Sequence, residues 1–153
     1  MRLQQFQVSV VEQTKKQLPR ALQKFQARAH FTLFKLYYDN SKIHYEVWVR
    51  GKEHLIEIGL HFESDQSTNA QLLAYFNEST IEIHAILGPR IEIEQWTNSW
   101  SRVHEVVPYQ TLDAELVKMV ARKLSQMIVL LEPMLKAFGT KALGKEKSLK
   151  VKF

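Results

Sequence analysis

The sequence has no cysteine. That excludes a disulfide framework, a thiolate zinc site and a cysteine nucleophile, and it fits a reducing, cytoplasmic setting. Glycine is scarce, with five in 153 residues and none adjacent to another. A glycine-rich phosphate loop is therefore absent, as are G-x-S-x-G and H-E-x-x-H. No Glu-x-Lys falls on a strand, so the carboxylate and lysine spacing of restriction-type nucleases is missing too. Long apolar runs are also lacking. The longest, Met127-Ile-Val-Leu-Leu131, is far too short to span a membrane. Met1 to Val11 mixes polar and apolar residues, unlike a signal peptide. The expectation is a non-catalytic protein with no cofactor and no membrane association.

What is present begins with charge. The net charge of +5 is unevenly placed. Residues 1–30 carry Arg2, Lys15, Lys16, Arg20, Lys24 and Arg28 against Glu12 alone. Residues 139–153 carry Lys141, Lys145, Lys147, Lys150 and Lys152 against Glu146, whereas the middle is net acidic. Basic ends suit acidic partners such as nucleic acid.

Residues 3–29 read as a helix. Leu18, Leu22, Phe25 and Ala29 fall on one face, after an earlier stripe of Leu3, Phe6 and Val10. Pro19 predicts a kink or break near Gln17. On another face, Lys16, Arg20, Lys24 and Arg28 repeat every four residues, a basic ridge able to lie along phosphates. Phe31 to Tyr38 reads as a strand, stopped by Asp39-Asn-Ser.

Lys42 to Ser64 alternates, turns at Gly51, and alternates again. With Gly51-Lys52 as a two-residue type II′ loop, Arg50 faces Glu53. Val47 then faces Ile56, Tyr45 faces Ile58 and Ile43 faces Leu60, all on one side. The other side carries Trp48 opposite Leu55 and Glu46 opposite Glu57, with His44 and His61 nearby. Opposed like charges cost only about 0.2–1 kcal/mol, so this face reads as solvated. Two histidines and two carboxylates have the chemistry to ligate a divalent ion. Lys35 is an alternative bridging cation. On a wet face neither is required, and no metal is expected. Trp48 is the odd member, because tryptophan on a wet face calls for a covering partner.

Thr68-Asn-Ala-Gln71 and Ser79-Thr-Ile-Glu82 read as capping boxes, the second closed by Gly88 and Pro89. The alternation Ile81-Glu-Ile-His-Ala also suits a strand, and the helix is preferred. Ile91 to Trp96 and Ser101 to Val107 form a second hairpin around Thr97-Asn-Ser. Thr111 caps a last helix with a stripe of Leu116, Val120, Leu124, Met127, Leu131 and Leu135, widened by Val117, Ala121 and Ile128. Pro133 kinks its end and Gly139 closes it. The predicted fold is one α+β domain over residues 1–138. Its sheet is a meandering, mostly antiparallel one of five strands with helices packed on it, in the order α-βββ-α(α)-ββ-α. A basic, disordered tail over residues 139–153 follows.

From Ile56 to Phe138 the sequence resembles the family called domain of unknown function 4268. The resemblance rests on Asp65 and Asn69 opening a helix that runs to Gly88. It continues with the strand Ile91-Glu92-Ile93-Glu94, Arg102 in the returning strand, and a long terminal helix rich in Val, Met and Leu. The family is bacterial and archaeal and is sometimes joined to nuclease-like domains. Trp96 and Trp100 depart from its pattern. The resemblance implies the fold and a helix before Gly88, but no chemistry. The element order is also similar to that of type III secretion chaperones, which are dimers that bind other proteins. Three readings are carried forward. The first is an interaction or adaptor domain of prokaryotic type, dimeric and holding a protein partner through Trp48, Glu94, Trp96, Trp100 and Arg102. The second is an accessory nucleic-acid binder in defence or repair, using Lys16, Arg20, Lys24 and Arg28 with the tail. The third, an enzyme, has no catalytic residues that the sequence can name.

Overall fold

A computed structural model describes the backbone of residues 1–151 and the side chains of residues 1–139. Four helices lie on one face of a six-stranded antiparallel sheet. In chain order these are α1 (Leu3–Gln17), β1 (Gln26–His30), β2 (Leu33–Tyr37), β3 (Ile43–Arg50) and β4 (Leu55–Phe62). They are followed by α2 (Gln66–Asn77), α3 (Thr80–Leu87), β5 (Glu92–Gln95), β6 (Ser101–Pro108) and α4 (Ala114–Val151). The strands are ordered β1-β2-β3-β4-β6-β5. No described helix is long and apolar enough to cross a membrane.

The α+β class agrees with the sequence reading, and the strand count does not. The extra strand is β1, inside the predicted first helix. Pro19 does more than kink that helix. Leu18 is extended, at φ −80° and ψ 145°, as the residue before a proline prefers. The chain then makes one 3-10 turn at Arg20–Leu22 and enters β1. Leu18 and Leu22 are still buried, but through the linker rather than along a helix face. Every residue of β1 is exposed, so this edge strand carries no burial pattern to announce it.

The β3–β4 hairpin keeps the predicted faces and shifts the predicted register by two. Tyr45 pairs with Leu60, Val47 with Ile58 and Val49 with Ile56. Glu46 therefore faces Gly59, and Glu57 faces Trp48, so the two glutamates are not opposed. The cause is a four-residue turn, Gly51 to His54. His54, at φ 54°, takes the left-handed conformation that the two-residue loop assigned to Gly51. A shift of two leaves every side chain on its own face. Arg50 still reaches Glu53, at 3.2 Å, within the turn.

The inward residues of β2, β3, β4 and β6 join one core with Phe6 and Val10 of α1, Leu72 and Phe76 of α2, and Ile83 of α3. The predicted stripe of α4 is buried from Leu116 through Leu131. Asp113, not Thr111, caps α4, accepting from the Leu116 N–H at 2.8 Å. Asp65 rather than Thr68 caps α2, accepting from the Thr68 N–H at 2.9 Å. Residues 80–87 are helical, and Gly88 at φ 106° ends them. Helix α4 passes through Gly139 to Val151, so that glycine does not close it. The side chains of the expected basic tail lie outside the described residues.

Candidate functional site

No described helix lies against the sheet's second face, and that face is polar. Strand alternation sends His44, Glu46 and Trp48 of β3 to it, with Glu57 and His61 of β4, Arg102 and His104 of β6, and Glu92 and Glu94 of β5. The partners of His44, Glu46, Glu57, His61, Arg102 and His104 come from strands β3 to β6 and the loops beside them. These side chains bury one another, and the expectation of a wet face is corrected. His44 is 1% exposed, His61 and His104 3% each, and Glu46 and Glu57 7% each.

Two clusters share the face. In the first, the His44 and His61 rings stack across β3 and β4, with centroids 5.6 Å apart and planes 10° from parallel. His44 Nδ1 lies 2.9 Å from the Ser41 carbonyl, which only accepts, so this nitrogen carries the proton. His44 Nε2 then faces Glu46 Oε1 at 3.3 Å and Glu63 Oε2 at 3.6 Å. His61 Nδ1 lies 3.3 Å from Glu63 Oε2, and its Nε2 lies 3.7 Å from Glu46 Oε2. Burial pushes the Glu46 carboxyl up, but the His44 hydrogen bond, helped by His61 and Lys35, outweighs it and holds the pKa below its ordinary value. One ring nitrogen or carboxylate Oε from each of His44, Glu46, His61 and Glu63 lies within 4.8 Å of the others, a spacing that suits a metal ion.

The second cluster is an ion-pair network. Arg102 reaches Glu94 through Nη2 at 3.1 Å and Glu57 through Nη1 at 3.4 Å. His104 Nε2 lies 2.8 Å from the same Glu94 oxygen. Burial, then the Arg102 charge, depresses the His104 pKa against the pull of Glu94 and Glu57. The Glu94 carboxyl is raised by burial but ends below its ordinary value, because His104 and Arg102 both bond to it. Glu92, Glu94 and His104 also have metal-compatible spacing, with Arg102 already occupying Glu94.

The aromatic rim sits beside these clusters. The Arg102 guanidinium lies over the Trp96 ring at 4.6 Å, the His61 ring meets Trp96 edge-on at 5.7 Å, and Trp100 lies 6.2 Å from Trp96. The β5–β6 turn holds them in place. Trp96 N–H donates to the Trp100 carbonyl at 3.0 Å, and Thr97 Oγ1 accepts from the Trp100 N–H at 2.8 Å.

Of the predicted partner-binding residues, Glu94, Trp96, Trp100 and Arg102 are thus brought together. Trp48 stands apart, opposite Glu57 and Leu33, with Arg50 over its ring at 5.2 Å as its cover. The basic ridge does not form. Lys16 lies in α1, Arg20 in the 3-10 turn, Lys24 in the linker and Arg28 in β1. Of the predicted metal-chemistry quartet, His44, Glu46 and His61 converge, and Glu57 goes to Arg102. Glu63 takes its place and was missed because it lies one residue past the end of β4. The signal for it was present, since His44-Tyr-Glu46 and His61-Phe-Glu63 repeat one pattern on paired strands.

No family model, curated protein or solved structure matches the chain.

Proposed function

We propose that the protein is a non-catalytic binding domain that holds a protein partner on the β5–β6 end of its helix-free sheet face. One observation carries this reading. Trp96 and Trp100 stand side by side, 37% and 38% exposed, with Arg102 stacked on the first and fixed by Glu94. Tryptophan and arginine are the side chains most enriched among residues that dominate protein interfaces. Here both are pre-ordered, by the turn at Thr97 and by the ion pairs of Arg102, so little side-chain entropy is lost on binding. Asn98, exposed at the turn, places a probe beside them.

The test is a photo-crosslinking residue at Asn98, compared with one at exposed Lys118 on the helix side. In the producing cells, the Asn98 probe should capture a defined protein that the Lys118 probe does not. Trp96→Ala with Trp100→Ala should abolish the capture. Equal capture from both positions, or none from Asn98, contradicts the reading.

A second reading, an accessory nucleic-acid binder, keeps one point in its favour. Arg28 of β1 directly opposes Lys35 of β2 on the helix-free face. Binding through such charges is steeply salt-dependent. Capture of nucleic acid from Asn98, weakened by Arg28→Glu and by added salt, favours this alternative.

A further inference from the structure

We propose that His44, Glu46, His61 and Glu63 bind one divalent transition-metal ion of the zinc class. The proposal does not rest on the partner-binding reading, although His61 meets Trp96 edge-on, because its argument uses only the donor atoms of the four residues.

The site follows from a short repeated pattern. Residues two apart on a strand share a face, so each His-x-Glu puts both side chains on the same side. The antiparallel register opposes His44 to His61. Glu46 then flanks the histidine pair from one end and Glu63 from the other.

Distances carry the next step. Ligands at about 2.0–2.2 Å around a tetrahedral ion stand about 3.3–3.6 Å from one another. The run Glu46 Oε1, His44 Nε2, Glu63 Oε2, His61 Nδ1 has successive separations of 3.3, 3.6 and 3.3 Å. One donor atom from each of the four residues lies within 4.8 Å of the other three.

Direction carries the step after that. His61 Nδ1 is buried and has no hydrogen-bond partner, although Glu63 Oε2 is only 3.3 Å away. Two ligands of one ion do not aim at each other; each aims at the ion between them. An imidazolium donating to Glu63 would give the opposite geometry.

Ligand tuning is also present. The Ser41 carbonyl holds a proton of His44 on Nδ1, so Nε2, which bonds Glu46 Oε1 in the metal-free chain, is the nitrogen that would ligate once it gives up its proton to the incoming ion. A backbone acceptor on the far nitrogen is the usual partner of a metal-bound histidine. The charge also balances, since two carboxylates match a divalent cation. Of the neighbouring cations, Arg102 is held by Glu57 and Glu94, and Lys35 reaches only the edge of the cluster, 4.0 Å from Glu63 and at the limit of ion-pair distance. Two imidazoles with two carboxylates favour first-row divalent metals over magnesium or calcium.

The probe is Zn2+ alone, titrated calorimetrically into untagged, chelator-treated full-length protein, with Co2+ absorption reporting the ligand field. Wild type should bind one ion per chain, and the cobalt spectrum should be that of a tetrahedral nitrogen and oxygen site. Glu63→Gln and His61→Ala should each lower affinity about tenfold or more. Glu94→Gln should leave it unchanged. Metal-free melting of each variant reports folding, and Glu63→Gln, at the edge of the cluster, preserves a test should His61→Ala fail to fold. The proposal is overturned if wild type binds no zinc, if Glu63→Gln binds as wild type does, or if only Glu94→Gln loses binding.

Discussion

Gly59→Ala tests the β4–β6 register on which both clusters depend. Gly59 sits between Glu46 of β3 and His104 of β6. A Cβ at this position would lie 2.6 Å from His104 Cβ, 2.9 Å from the Val103 carbonyl oxygen and 3.2 Å from His104 Cα. Carbon atoms pack best at about 3.5–4.0 Å, so the added methyl intrudes by about 1 Å. Two of the three obstructing atoms are backbone, on a strand paired with β4 from Leu55↔Pro108 to Phe62↔Ser101, so β6 cannot give way locally. Overpacking of this kind costs about 1–3 kcal/mol. Restricting the unfolded chain returns about 0.4–1 kcal/mol. Mid-range values of the two leave a net loss of about 1–2 kcal/mol, read as a lower urea midpoint with an unchanged slope. In a domain of this size that loss lowers Tm by about 2–8 °C. Gly51→Ala is the control, since its Cβ would meet only Tyr109 Oη, at 3.9 Å. Gly59→Ala as stable as wild type would refute the register, and with it the placement of Glu46 and His104.

Three further outcomes are expected. Asn69 is fully buried and bonds the Ser64 N–H, the Ser64 carbonyl and the Ser99 carbonyl. Asn69→Ala should cost about 1–3 kcal/mol in a denaturation experiment and loosen the turn that holds Trp100. Asp65→Ala removes the α2 cap and should lower the denaturation midpoint in the same assay. Burial holds the Glu132 carboxyl above its ordinary pKa, although Tyr45 donates to it at 2.8 Å and Lys136 lies near. The folded state therefore keeps a proton that the unfolded state releases, and stability falls as pH rises from the unfolded pKa through the folded one. Glu132→Gln keeps an acceptor for Tyr45 without the buried charge. It should be more stable than wild type at about pH 7.5 and lose that advantage at about pH 4, as urea titrations at both pH values would show.

The faces of the hairpin strands were legible in the sequence, because alternation has period two. Their register was not, because a shift by two residues moves no side chain to the other face. Only the left-handed His54 and the four-residue turn decide it. Strand β1 was hidden by a coincidence. Leu18, Leu22, Phe25 and Ala29 satisfy helical spacing across a proline, and the edge strand buries nothing that would have argued back. The basic ridge fell with that helix. Helix α4 was legible because its stripe is long and wide, and its glycine misled because glycine weakens a helix without having to end it. The polar face was judged wet because it lacks apolar residues. In the folded chain, ion pairs and stacked rings on neighbouring strands shield one another from solvent. Glu63 was not legible because it lies one residue past the end of β4, beyond the alternation that marks a strand face.

His44, Glu46, His61 and Glu63 converge on one point of the helix-free face. A crystal structure of zinc-loaded protein, with anomalous data collected on both sides of the zinc edge, tests this directly. The account predicts a single strong anomalous peak bonded to His44 Nε2 and to His61, Glu46 and Glu63, at about 2.0–2.2 Å from each. No peak there, or one seated instead on Glu92, Glu94 and His104, would contradict it.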